Sequence, residues 1–90
     1  MSEAETVVQE LQARFSFLTG RATAPRERRV WIEATREEFA PVFDLLTKDL
    51  GFTNLLMITG LDVGTDLEFI YHIARSRGLV ASVKVRCPKG

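Results

Sequence analysis

The chain has 90 residues, 46% of them hydrophobic, and its 12 basic and 12 acidic residues cancel. This length supports one domain with a modest core, burying roughly 60–65% of the unfolded surface, so residues 1–90 read as a single domain. Zero net charge excludes a global field for nucleic acid or anionic lipid, and a lone Cys87 excludes an internal disulfide and fits a reducing compartment.

The chain begins with the polar, acidic stretch M-S-E-A-E-T, which does not read as a signal peptide. Residues 2–15 read as an amphipathic helix that packs on the rest of the fold. Val7, Val8, Leu11, Phe15 and Leu18 share one face, and Ser2 and Glu5 have capping-box spacing. Phe15 to Leu18 has the character of a short extra strand. Gly20 to Glu27 reads as a loop, because Gly20 and Pro25 break any period.

Residues 28–34 alternate as a strand, with Val30, Ile32 and Ala34 inward and Arg29, Trp31 and Glu33 outward. Arg21, Arg26, Arg28 and Arg29 cluster near Trp31. Neutral net charge, with Glu27 and Glu33 close by, argues for a solvated edge or protein contact rather than a nucleic-acid surface. Residues 35–50 form the second predicted helix, opened by the Thr35 and Glu38 capping box. Its stripe is Phe39, Val42, Phe43, Leu46 and Leu50, and Gly51 stops it. Pro41 predicts an irregular first turn, with regular helix starting close to it.

Three apolar runs follow, at 52–61, 66–75 and 79–87, and read as an antiparallel meander. Asp62-Val63-Gly64-Thr65 and Ser76-Arg77-Gly78 form its turns. In the first run Phe52, Leu56 and Ile58 point one way, and Leu55, Met57 and Leu61 the other. Apolar residues on both faces predict a central, covered strand. In the second run Leu67, Phe69, Tyr71 and Ile73 share the core face. In the third, Leu79, Ala81, Val83, Val85 and Cys87 do so. Phe43, Leu46, Ile58, Phe69, Tyr71 and Val83 are the expected core between helices and sheet. The order α-β-α-β-β-β, with one possible extra strand, gives an α+β two-layer sandwich. Two helices lie on one face of a mostly antiparallel sheet of four or five strands.

The segment L-L-M-I-T-G-L-D, followed by E-F-I-Y-H-I, a basic turn and a V-x-V strand, resembles the 30 kDa subunit family of respiratory NADH dehydrogenase. That family also occurs in complex I-like membrane-bound nickel–iron hydrogenases. The upstream order fits: a helix, then R-R-V-W-I-E-A, then R-E-E-F-A-P-V-F-D-L-L. The resemblance covers roughly residues 5–87 and rests on hydrophobic patterns with one Asp and one Tyr. The family's downstream E-R-E-x-x-D-type motif does not occur, so a compact relative or an isolated N-terminal domain is expected. The resemblance implies the same sandwich. It also implies a non-catalytic structural subunit beside the cluster- or nickel–iron-bearing large subunit, on the cytoplasmic side of a membrane and holding no cofactor ligand.

The residues agree that chemistry is scarce. His72 has no second ligand at metal spacing, and Cys87 reads as a small buried hydrophobe. Asp62 and Asp66 flank a turn rather than a cleft, and the ring of Tyr71 packs on the core face. The glycines of G-L-D-V-G lack a following helix to cradle phosphate. No cofactor and no catalytic residue is expected. The longest apolar run, Leu55 to Ile58, is too short to cross a bilayer, so membrane contact is expected only through other subunits. The expected contact surface is the sheet face away from the helices. It comprises Arg29, Trp31, Leu55, Met57, Ile70, His72, Val80 and Lys84, with Leu61 among them and Glu33, Glu68 and Arg86 at the rim. A free-standing soluble interaction or ligand-binding domain, homodimeric in isolation, is the alternative to a complex subunit.

Overall fold

The computed structural model describes residues 2–88, with backbone alone at Arg77. Helix α1 spans Glu3–Arg14. Both halves of the expected capping box are present: Glu5 N–H donates to Ser2 Oγ at 3.1 Å, and Ser2 N–H donates to Glu5 Oε1 at 3.0 Å. Two orphan amides are thereby satisfied. Ala4, Val7 and Leu11 carry the buried stripe. Phe15 to Leu18 departs from the extended strand expected there. Ser16–Leu18 is a 3₁₀ turn that buries Leu18 and swings the chain back toward the sheet.

The extra strand lies later, in the stretch read as a loop. Strand β1 spans Ala22–Arg26 and pairs antiparallel with β2, Arg29–Ala34. Pro25 is tolerated because β1 is an edge strand, where a missing donor breaks no ladder bond. Strand β2 alternates as expected, with Val30, Ile32 and Ala34 buried.

Helix α2 spans Arg36–Asp44 and continues as a π-helical segment, Leu45–Asp49. The first turn is regular, contrary to the expectation from Pro41. Thr35 and Glu38 complete a capping box, with Thr35 N–H to Glu38 Oε1 at 2.9 Å and Glu38 N–H to Thr35 Oγ1 at 3.2 Å. Pro41 sits inside the helix on its exposed side, at the cost of one i→i−4 hydrogen bond. The irregularity comes at the other end, where Leu50 N–H reaches Leu45 O at 3.0 Å before Gly51 turns the chain at φ 79°.

Strands β3 (Asn54–Asp62), β4 (Asp66–Arg75) and β5 (Leu79–Pro88) form the expected meander. At the first turn Asp62 Oδ1 accepts from Gly64 N–H at 3.0 Å, and Gly64 takes φ 92°. The sheet order is β1-β2-β5-β4-β3, antiparallel except for β2 beside β5. Strand β5 is therefore central, with Leu79 to Val83 buried without interruption. Strand β3 was expected at the centre but lies at the edge, and eight of its nine residues are exposed. The parallel β2–β5 ladder occupies the inner position that the hydrophobicity of β3 suggested for itself.

Cross-strand partners share a face, so the register fixes which residues meet the helices. Ile58, Tyr71, Val83 and Ile32 form one helix-side row; Met57, His72, Ser82 and Trp31 form one outer row. A bulge between Leu55 and Met57 shifts the phase of β3. Leu55 stands opposite Ile73 on the helix side, not on the outer face as expected, and Leu56 does not share a row with Ile58.

Both helices pack on one face. Val7 and Leu11 of α1 and Val42 and Leu46 of α2 join Val30, Ile32, Ala81 and Val83 in one core. Leu46 and Val83 are fully buried, as expected. Phe43, Phe69 and Tyr71 are only half-buried, and Ile58 is largely exposed, because α2 reaches β4 but does not cover β3. The outer edge of the core is an aromatic rail. Tyr71 lies 4.7 Å from Phe39 and 5.9 Å from Phe43, centroid to centroid.

Phe52, just before β3, is the largest fully buried side chain. The Arg75 guanidinium lies 5.2 Å from its centroid, while Nη1 donates to Leu50 O at 3.0 Å. Phe52→Ala is expected to cost about 3–5 kcal/mol, the usual range for a buried aromatic. Phe69→Ala, on a half-covered strand, is expected to cost roughly half of that. Urea unfolding of the two variants checks both the values and their order.

Candidate protein-docking surface

The surface has two parts, a flat outer sheet face and the ribbon of β3. On the outer face small residues lie between large ones. Ala74, Val80 and Ser82 are buried although no helix lies above them, while Trp31, Ile70 and His72 are half-buried. The Trp31 indole N–H donates to Glu33 Oε2 at 3.2 Å, a bond between residues of the same strand face. Arg29 is exposed, and the Lys84 side chain retains 27% of its surface. Of the expected contact residues the outer face thus brings together Arg29, Trp31, Met57, Ile70, His72, Val80 and Lys84. Leu55 falls on the helix side, and Val80 is too buried to offer much area.

His72 is occupied within the sheet. Its Nδ1 shares a hydrogen bond with Ser82 Oγ at 2.9 Å, and its Nε2 a longer one with Thr59 Oγ1 at 3.4 Å. These contacts tie β3 to β5 across β4. Ser82 also lines a shallow concavity of the outer face with Arg26, Arg29, Val30 and Trp31.

Next to this row lies Glu68, whose side chain is 9% exposed on the outer face. Arg86 Nη2 donates to its Oε2 at 2.9 Å, and Lys84 Nζ lies 3.7 Å from the same oxygen. The Arg86 hydrogen bond, with Lys84 adding its charge, holds the Glu68 carboxyl below its ordinary range. The same bond raises Arg86. Glu68 thus lets two cations sit side by side on the face.

The ribbon of β3 carries most of the exposed apolar surface. Leu55, Leu56, Met57, Ile58 and Leu61 are 51, 52, 58, 49 and 46% exposed. Val63 and Leu67 extend the patch around the β3–β4 turn. Leu56, Ile58 and Val63 were not among the expected contact residues. The uncharged run from Phe52 to Leu61 was the signal for Leu56 and Ile58, and the same pattern had suggested burial.

Among the described residues no group of three or more His, Cys, Asp or Glu side chains is placed to hold a metal ion. Cys87 is a half-buried free thiol on the helix-side row with Leu67. A concavity at one sheet end, bounded by Arg21, Glu33, Thr35, Arg36 and Asp66, mixes both charges. Two of its polar side chains are already engaged: Arg21 makes a two-pronged pair with Glu38 at 2.9 and 3.0 Å, and the Thr35 hydroxyl caps α2. No described helix is long and apolar enough to cross a membrane. The described outer face places Trp31 and Ile70 near the Glu68, Lys84 and Arg86 charge cluster.

No protein-family model matches the chain, and no curated protein matches it.

Glu68 generates a pH prediction. Its folded pKa lies below its unfolded value, so the stability it adds is full above the ordinary Glu range, about 4.3. That stability is lost as pH falls through the folded value. Glu68→Gln is therefore expected to lower the unfolding midpoint at pH 7, and the gap from the parent should narrow as pH falls below the ordinary Glu range. Thermal melts of both proteins across this range check it.

Proposed function

We propose that this domain is a non-catalytic docking subunit. The carrying observation is the unpartnered apolar ribbon of β3, continuous with the outer sheet face, on a domain that fully buries Leu11, Leu18, Ile32, Leu46, Ile73 and Leu79. Five large aliphatic side chains about half open to water are more than scattered surface hydrophobes and favour a protein contact. The resemblance of L-L-M-I-T-G-L-D and E-F-I-Y-H-I to the 30 kDa subunit family supports a specific partner. That partner is the large subunit of an NADH:quinone oxidoreductase-like or energy-converting hydrogenase-like complex. The domain would sit at the cytoplasmic side of the membrane, held there through other subunits. Its role would be to hold and orient the cluster- or nickel-bearing chain, contributing no ligand of its own.

On the flat face the anchors are Trp31 and Ile70. Trp is the residue type most enriched among binding hot spots, and Ile70 lies in the row of Thr59 and Lys84. Lys84 and Arg86, neutralised in part by Glu68, form a polar rim.

The experiment is affinity purification from the native host, followed by metal analysis and binding measurements with the captured chain. Trp31→Ala and Ile70→Glu are each expected to weaken binding at least tenfold while circular dichroism stays unchanged. A captured partner containing iron–sulfur or nickel supports the complex subunit. A partner without either makes the domain a free-standing interaction module. Full-strength binding by both folded variants would remove the outer face from the interface.

A further inference from the structure

We propose that the exposed edge of β3 pairs antiparallel with β3 of a second copy of this chain, joining the two five-stranded sheets into one. This goes beyond the docking reading above, which rests on the exposed side chains of β3 and the outer face: here the backbone edge of β3 takes a second copy, leaving Trp31 and Ile70 of the face to the partner protein.

The first observation is the contrast between the two edges. A sheet edge presents unpaired N–H and C=O groups, and native proteins usually blunt it. The β1 edge is blunted in several ways. It is five residues long, contains Pro25, has a register irregularity between Thr23 and Arg26, and ends beside Arg26 and Arg29. Its Ala22 carbonyl accepts from Gln12 Nε2 of α1 at 3.4 Å. The β3 edge is nine residues long and contains no proline. No charge occurs from Phe52 to Leu61. Its one protective feature is the bulge at Leu56, beyond which Met57–Asp62 pairs regularly with β4.

Charge sets the orientation. A parallel arrangement would bring Asp62 of the two copies side by side, and like charges in adjacent strands repel. An antiparallel arrangement separates them by the length of the ladder. The regular segment then sets the register. A two-fold axis normal to the sheet requires residues that face each other to point to the same side. Met57, Thr59 and Leu61 point to the outer face, and Ile58 and Gly60 to the helix side. Centring the axis on Thr59 satisfies this over the longest uncharged stretch. Met57 then faces Leu61 of the second copy at both ends of the seam, and Thr59 faces its own counterpart. Ile58 faces Gly60, where the Phe69 ring lies 3.6 Å from the position of a Cβ and offers it a packing surface. The most exposed side chain of the ribbon, Met57, is thereby covered by another of its exposed residues.

The blunted β1 edge sets the size of the assembly. Each copy has one adhesive edge, so pairing closes at two rather than growing into a fibre.

The test is sedimentation of the full chain across a concentration series, with Met57→Lys, Leu61→Glu and the double variant. Both positions are about half exposed, and thermal melts confirm that each variant is folded. The parent is expected to be a dimer. Each single variant should raise the dimer Kd at least tenfold, and the double variant should restore it, because an ammonium then faces a carboxylate at both ends of the seam. Ile70→Glu, away from the edge, should leave the dimer intact even where it abolishes capture of a partner protein. A parent that stays monomeric to about millimolar concentration would overturn the proposal. So would a dimer insensitive to both single changes, growth beyond two copies, or single-variant losses that the double variant does not repair.

Discussion

The parallel pairing of β2 with β5 is the constraint on which the rest of this structure depends. The meander β3-β4-β5 has two ends, and either could in principle join the N-terminal hairpin. Joining through β5 places the last strand in the middle of the sheet, where its run from Leu79 to Val83 is covered. It also requires α2 to return the chain across the sheet before β3 begins. The six-residue register from Arg29↔Val80 to Ala34↔Val85 aligns Val30, Ile32 and Ala34 with Ala81, Val83 and Val85 under the helices. Once that ladder forms, β3 can only be an edge.

The end of α2 is held where this crossover returns. Phe52 N–H donates to Leu46 O at 2.9 Å, and the Phe52 ring is fully buried. Arg75 joins three elements there: its guanidinium lies against Phe52, donates to Leu50 O and pairs with Glu3 of α1 at 3.5 Å. At the other end of the sheet, the Arg21–Glu38 pair links the start of β1 to the first turn of α2. Hydrogen bonding between them lowers Glu38 and raises Arg21. Both latches brace the helix-covered half of the sheet. Beyond them β3 is held by its ladder to β4 and by the His72–Thr59 contact.

This division of labour underlies the functional reading. The helix-covered half holds the core and its salt links, while the uncovered half presents an apolar ribbon and a flat face whose charges compensate one another. An exposed apolar ribbon of that kind is the basis on which docking is proposed. The flat face and the strand edge differ physically. The face offers side-chain area around Trp31 and Ile70, whereas the edge offers unpaired backbone groups along β3, so the two can serve different partners.

By itself the sequence determined the local structure. Capping boxes at Ser2 and Thr35, the Gly51 stop, the turn at Asp62 to Gly64, the burial alternation in β2 and the choice of faces in β4 and β5 all follow from short-range hydrogen bonding and side-chain period. These signals depend on residues within a few positions of each other. The sandwich class and the inward stripe of each helix were legible for the same reason. Tertiary structure decided the rest. An apolar run such as Leu55 to Leu61 looks the same whether it is covered or awaits a partner, because hydrophobicity records a preference for burial and not the strand that provides it. The same ambiguity hid β1, whose Pro25 signals a loop until an edge position makes its missing donor harmless. The face of Leu55 was settled by a bulge, one residue that moves a side chain to the opposite side of the sheet, and the phase of β3 follows from its pairing with β4.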